Sequence, residues 1–339
     1  MSKKVAVIGG GFGGIASALR CKKLGFDVTL IERQNMLGGR ARVFQKGGYR
    51  HDAGPTVITA PFLFEELFEL FDEKLTDHLD FVPLDPWYRF YFHNGKTFDY
   101  RPSIEDTNRE ISKFDERDII GYKNLIRTSK EIFNIGFEKL SDRPFLSFWD
   151  MVKQIPSLVK LKSYLTVSQL VNSKLKNEFL RKAFSIHPLL VGGNPFTTTS
   201  IYALIHYLER KWGVFFCMGG TGKIVRELER LMLKEGIIIK KNTDIEKIVT
   251  NVNKVTKLRT TSGEEIEADA VICNADPPTV YKEMLDTKFK NYGLIKSEKL
   301  TQYSMGLFVL FFGSKKQYHN VAHHTIWMAD RYKELLKDI

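Results

Sequence analysis

Six residues near the N-terminus, Gly9-Gly10-Gly11-Phe12-Gly13-Gly14, restrict the fold of this chain more than any other stretch. They satisfy G-x-G-x-x-G, and their setting matters as much as their spacing. Residues 3–8 (KKVAVI) read as a buried strand; after the glycines, Ile15, Ala18 and Leu19 recur at helical spacing until Gly25 stops the helix. Residues 27–32 (DVTLIE) read as the next strand, which completes a strand–helix–strand unit. In that context Gly9 permits the tight turn, Gly11 lets a pyrophosphate approach the backbone, and Gly14 lets helix pack on strand. The helix N-terminus then offers free N–H groups and a positive dipole end to phosphates. Glu32 ends the second strand close to the expected distance of about 20 residues, where a carboxylate accepts hydrogen bonds from a ribose. A dinucleotide site is the expectation. The fingerprint alone does not separate NAD from FAD.

Further along, FLFEELFELF at 62–71 reads as an amphipathic helix behind Pro61. The middle, from Trp87 to Trp212, reads as mainly helical and is rich in aromatic and Lys residues. Residues 219–234 read as a glycine turn entering a helix, and 237–273 alternate like short strands, broken at Asn242 and at Ser262-Gly263. ADAVICNAD at 268–276 reads as another buried strand ending in a polar turn. Gly222-Lys223 imitates the end of a phosphate-binding P-loop, but Cys217 stands where that motif needs glycine and Ile224 where it needs Ser or Thr.

Bulk properties narrow the class. With 339 residues and 43% apolar content the chain can bury a large core, and its length fits about two domains. Cys21, Cys217 and Cys273 are sparse, odd in number and form no CxxC pair, which fits reduced, packed thiols in a cytoplasmic setting. Lys3 and Lys4 lead straight into a strand, unlike a secretory signal. The longest strongly apolar run, Met305 to Phe312, is far shorter than the roughly 20 residues of a bilayer span. The net charge of +11 needs a destination, and nucleic-acid motifs are absent.

The residues beyond Glu32 sharpen the picture. Leu37-Gly38-Gly39-Arg40 is followed by Gly48-Tyr49-Arg50-His51-Asp52-Ala53-Gly54-Pro55-Thr56. This layout resembles the FAD-binding amine-oxidase and phytoene-desaturase superfamily, with its acid, GGR turn and D-x-G-P/A-T loop. The resemblance places the Arg40 guanidinium against the FAD pyrophosphate as a charge-assisted partner; outside the motif Arg40 would read as a surface arginine. The later turn Gly219-Gly220-Thr221-Gly222 and Ala268-Asp269-Ala270-Val271 match the family's further FAD elements. Ile245 matches the strand residue whose backbone lies by the adenine, and equally reads as core. The stretch from Phe184 through His187, Gly192-Gly193-Asn194-Pro195 and His206 to Val214 looks strongly like the bacterial phytoene desaturases, as do Ser304 to Gly313 and Ala322 to Thr325. The match extends over essentially the whole chain.

The resemblance implies an α/β architecture: a Rossmann-like FAD-binding domain of the glutathione-reductase/amine-oxidase type, with an inserted mixed α+β, largely helical substrate domain. The expected boundaries are 1–85 plus 214–280 for the FAD domain and 86–213 plus 281–339 for the substrate domain. The implied cofactor is FAD, bound through Gly9, Gly11, Gly14, Glu32, Gly39, Arg40, Gly54 and Ile245. The implied substrate is a long apolar polyene, phytoene or similar, recognised by shape because it has no polar handle. Family members run longer and end in a flavin-side loop of the type G-x-G-x-H-P-G, which this sequence lacks, so a missing C-terminal FAD segment is expected.

Desaturation also needs a base for the departing proton. Asp150 and His187 are the candidates, with His206 beside them; Asp150 alternatively caps a helix, and His187 alternatively sits in a satisfied loop. His319, His323 and His324 lack acids or cysteines at ligand spacing, so no metal is expected. Between Met151 and Lys182 stand seven Lys or Arg residues and one acid, Glu178. Leu158, Leu161 and Leu165 would share one helix face there, flanked by Lys160 and Lys162. That is the pattern of a helix lying on an anionic membrane surface, and the expected location is cytoplasmic, peripheral to the cytoplasmic membrane. A solvated Lys face is the competing account. A flavin-dependent carotene cis–trans isomerase and a non-catalytic lipid-binding remnant are the rival functions.

Overall fold

The computed structural model describes residues 2–140, 143–144, 147–252, 254–286 and 303–338. The chain divides into two compact units. The first runs to Val82 and resumes at Phe215; the second takes Pro83–Val214 and resumes at Tyr303. Residues 287–302, expected in the substrate domain, lie outside the described residues.

The first unit opens with β1 (Lys4–Ile8), α1 (Phe12–Lys23) and β2 (Asp27–Ile31), followed by a hairpin of β3 (Val43–Lys46) and β4 (Tyr49–Asp52) and by α2 (Phe62–Glu69). After the second unit's insertion come α3 (Thr221–Lys234), β5 (Ile238–Lys240), the antiparallel strands β6 (Ile245–Asn251), β7 (Lys254–Thr260) and β8 (Glu265–Glu267), and β9 (Ala270–Cys273). Four strands form one parallel sheet in the order β9-β1-β2-β5. Parallel pairing requires crossovers, and α1 supplies the one between β1 and β2. Val7, Ile15, Ala18, Leu19 and Leu30 are wholly buried between helix and sheet. Each large aliphatic side chain among them contributes about 1.5–3 kcal/mol by leaving water.

Residues 268–276 depart from their expected burial. Only β9 is strand there, with Ala270 exposed and Val271, Ile272 and Cys273 half-buried. It is the edge strand of the sheet, so it has a paired neighbour on one side only. Asn242 and Gly263 do break the strands, both in the left-handed region at φ 53° and 88°.

The second unit is helical, as its sequence pattern implied, but it also contains a sheet. Tyr88–Phe92 lies between Thr97–Tyr100, antiparallel, and Thr325–Met328, parallel. Alternating burial along YRFYF explains the strand: Tyr88, Phe90 and Phe92 point inward, and Arg89 and Tyr91 are only half-buried. Aromatic density had masked this period-2 pattern. The expected amphipathic helix around Leu158 is likewise shorter. Helix Ile155–Lys160 ends there, Lys162 turns through φ 55°, and a new helix starts at Val167. Leu161 is buried against Ile132, Leu170 and Ala203, while Ile155 and Val159 face outward.

Candidate cofactor site: a cradle of four glycine turns

The geometry separates the glycines that the backbone requires from one that it does not. Gly9 adopts φ 96°, which only glycine takes without strain. A Cβ on Gly14 would lie 1.9 Å from the Gly9 carbonyl oxygen, so helix and strand close up only with glycine there. Gly10 is pressed by Leu37, at 2.6 Å from such a Cβ. At Gly11 a Cβ would meet only the Asn274 side-chain amide, at 3.2 Å. Nothing in the backbone demands a glycine at that position, and a ligand lying across it would.

Gly11 is also the N-cap of α1, and no side chain caps the helix or places an acid in its first turn. Its first N–H groups therefore suit an anion. Glu32, only 7% exposed, accepts the Gly10 N–H at 2.7 Å through one carboxylate oxygen and the Gln34 N–H at 2.9 Å through the other. Each oxygen keeps a second lone pair for a ribose hydroxyl.

The GGR turn is clamped onto this loop. Gly38 donates to the Gly10 carbonyl at 2.8 Å, and a Cβ on Gly39 would sit 3.2 Å from the Gly11 Cα. Arg40 follows in a short 3-10 turn, exposed, with no ion-pair partner among the described residues. Gly54 closes over it: a Cβ there would be 2.3 Å from the Arg40 carbonyl oxygen. Gly9, Gly11, Gly14, Glu32, Gly39, Arg40 and Gly54 are thus brought together in one cradle. Ile245 is 5% exposed and packs with Ile8, Ile31 and Leu258, so its side chain is core. Its strand begins beside Glu32, whose carbonyl accepts the Thr243 N–H at 3.0 Å.

Three residues of the cradle escaped the sequence reading as individuals. Asp52 accepts the Gly222 N–H at 3.0 Å and so occupies the N-terminus of α3, the second glycine-led helix. Thr221 donates its hydroxyl to the Pro55 carbonyl at 2.6 Å. Asn274, at the end of β9, lies over the first turn of α1. Their signals were present as D-A-G-P and C-N-A-D, but only the fold shows which atoms face the glycines.

Both base candidates lie in the second unit. Asp150 is the fourth residue of a reciprocal cap rather than the cap itself. Its Oδ2 accepts from the Ser147 N–H at 3.0 Å and hydroxyl at 2.9 Å, and the Ser147 Oγ accepts the Asp150 N–H at 3.3 Å. His187 is 1% exposed and its Nε2 meets Glu209 Oε2 at 3.0 Å. Tyr88 donates its hydroxyl to the other Glu209 oxygen at 2.7 Å. The His206 ring stands 4.1 Å from that of His187, and its Nε2–H donates to the Phe184 carbonyl. Burial, and then the His187 ring, hold the His206 pKa well below the usual imidazole range. Beside them Arg210 stacks on Trp87 and Tyr100 at 4.5 and 4.6 Å from the ring centres. Among the described residues no group of three or more His, Cys, Asp or Glu side chains is arranged to hold a metal.

A parallel sheet, a glycine-capped helix and an acid at the end of the second strand define a dinucleotide-binding oxidoreductase fold. Residues 12–332 match the profile of the flavin-containing amine oxidoreductases, and the chain belongs to that family. Its cofactor is FAD, the dinucleotide form of flavin that such a cradle takes. The chain is 42% identical to a lycopene-forming phytoene desaturase of Pseudescherichia vulneris, over 99% of this chain and 68% of that protein. It is 39% identical to the lycopene-forming phytoene desaturase of Pantoea ananas, over the same shares. A solved structure from Pyrococcus furiosus shares the fold with TM-score 0.61 and 18% identity, over 88% of this chain and 66% of that one.

Proposed function

We propose that this protein is an FAD-dependent phytoene desaturase of carotenoid biosynthesis, removing hydrogens across C–C single bonds on the way to lycopene. The single observation that carries the cofactor half is Gly11, a glycine at the mouth of the α1 cap that no backbone contact requires. The relatives, similar over 99% of this chain, carry the substrate half.

In this reading the first unit binds the cofactor: α1 and Arg40 hold the pyrophosphate and Glu32 holds a ribose. FAD held there would supply the hydride-accepting chemistry that no side chain offers. The second unit takes the polyene. Asp150 is the proposed proton acceptor, its carboxylate steadied through Oδ2 by Ser147. His187 is assigned a positioning part, because its Nε2 is held by buried Glu209.

Membrane attachment belongs to the same proposal, since the substrate dissolves in lipid. Among the described residues no helix is long and apolar enough to cross a bilayer. Phe148, Trp149, Ile155, Val159 and Tyr164 are exposed on short helices and turns that also expose Lys153, Lys160 and Lys162. Apolar side chains with interspersed lysines suit the headgroup layer.

Gly11→Val tests the cofactor half. The variant should fold, because only one amide must shift, and should lose its flavin absorbance. Retained flavin would refute the site. Incubation of the flavin-loaded protein with phytoene in liposomes, read by chromatography, tests the reaction: new conjugated double bonds support it, and geometric isomers alone favour the isomerase.

A further inference from the structure

We infer that Asn274 is a cofactor-binding residue, its side-chain amide donating a hydrogen bond to the pyrophosphate held at the α1 N-terminus. The inference rests on the flavoprotein reading above and adds a residue from a different part of the chain.

The placement is set by the backbone. Asn274 donates its N–H to the carbonyl of Ile8, the last residue of β1, at 2.8 Å, which carries the pairing with β1 one residue past the end of β9. Its side chain is thereby aimed over the glycine loop. The Cβ positions of three loop glycines all find it: Gly11 meets Nδ2 at 3.2 Å, Gly13 meets Oδ1 at 2.5 Å, and Gly14 meets Cβ at 3.6 Å. Gly13 falls at a variable position of G-x-G-x-x-G, and this amide accounts for its being glycine here.

The amide is exposed and makes no hydrogen bond among the described residues. A well-placed donor without a protein partner stands beside a helix end that has no side-chain cap and no acid in its first turn. Neutral Asn suits this place chemically. It donates to a phosphate oxygen, whereas an Asp of the same size would oppose the phosphate charge.

Two variants of the protein test the assignment, with FAD and ADP as probes and affinities read by titration calorimetry or flavin fluorescence. Asn274→Ala should weaken both ligands about ten-fold or more, the scale of a lost hydrogen bond to a charged group. Asn274→Asp should weaken both further, and the melting temperature of the ligand-free protein should be unchanged in at least the Ala form. Equal loss for FAD and ADP places the contact on the adenosine diphosphate half that the two ligands share. Unchanged affinities in both variants, or loss for FAD with none for ADP, would overturn the inference while the parent still binds FAD. A parent that binds neither ligand overturns the flavoprotein reading along with it.

Discussion

The Asp52 carboxylate accepts the backbone N–H of Gly222 at 3.0 Å, across 170 residues of sequence. One acid thus closes the N-terminus of α3 and fixes the loop that carries Gly54 over Arg40. A Cβ on Gly220 would lie 2.0 Å from the same carboxylate, so the pair is tightly packed. Of the two glycine-led helices in this unit, α3 is met by the protein's own charge, whereas α1 has neither a side-chain cap nor an acid in its first turn. Asp52→Ala should cost about 1–2 kcal/mol in chemical denaturation, the usual scale of a lost helix cap. It should also lower flavin occupancy, read as the ratio of flavin to protein absorbance. A variant as stable and as yellow as its parent would show that the contact is incidental.

The glycines yield a graded prediction. Gly14→Ala places a methyl 1.9 Å from a carbonyl oxygen and should prevent accumulation of folded protein. Gly25→Ala meets no atom within 4 Å but must adopt φ 86°, so it should lose only about 1 kcal/mol. Thermal melts of the two variants, if indistinguishable, would contradict the packing described for α1.

This contrast shows what the sequence carried and what it did not. Strand, glycine turn, helix and Glu32 were legible because local periodicity and one fixed spacing encode them. The convergence of Arg40 with Gly54, and of Asp52 with Gly222, depends on long-range topology that no local pattern records. The Tyr88–Phe92 strand was missed because its polar positions are Arg and a second Tyr, which blur the alternation. The helix around Leu158 was drawn too long, because leucine spacing outweighed the turn that Lys162 makes at φ 55°. Asp150 was legible as a helix-start residue, but its partner Ser147, rather than Asp150, proved to be the cap.

A pH dependence follows from Glu73. Its carboxylate contacts Lys234 at 2.6 Å, Arg230 at 2.8 Å and His78 at 2.6 Å, and its side chain is 10% exposed. The hydrogen bond from Lys234, followed by that from Arg230, lowers its pKa to about 2 against the opposing effect of burial. A carboxylate with a depressed folded pKa stabilises the fold above its unfolded value. That stability is lost as pH falls through the folded one. Glu73→Gln should therefore cost about 1–2 kcal/mol at neutral pH, allowing for screening, and the difference from the parent should shrink between pH 4.5 and 2. A pH-independent difference would assign the effect to packing instead.

Arg210 supports the second unit's aromatic sheet. Its guanidinium donates to the Tyr122 hydroxyl at 2.6 Å, the Arg101 and Pro102 carbonyls at 2.7 Å, and Thr107 Oγ1 at 2.9 Å, while stacking on Trp87 and Tyr100. Lysine keeps the charge but has neither the planar face nor the fork of donors. Arg210→Lys should destabilise by about 2–3 kcal/mol, the scale of losing hydrogen bonds to a buried charged group. Equal denaturation midpoints would mean that charge alone suffices.

The last prediction separates two accounts of the basic middle segment. If lysines there are merely solvated, neighbouring aromatic side chains have no reason to be exposed; if the segment meets lipid, both belong to one surface. Phe148 and Trp149 are 76% and 68% exposed on a helix of five residues, next to a helix that turns Ile155 and Val159 outward. Lys153, Lys160 and Lys162 are exposed along the same stretch. Electrostatic attraction should fade with salt, since charges are screened over about 8 Å at physiological ionic strength, whereas insertion of aromatic rings should not. Replacing Lys160, Lys162, Lys174 and Lys176 together with Gln should therefore reduce co-sedimentation with anionic liposomes mainly at low salt. Phe148→Ser with Trp149→Ser should reduce it at every salt concentration. Double and quadruple variants that both sediment like the parent would return the segment to an ordinary solvated face and leave the +11 charge without a lipid partner.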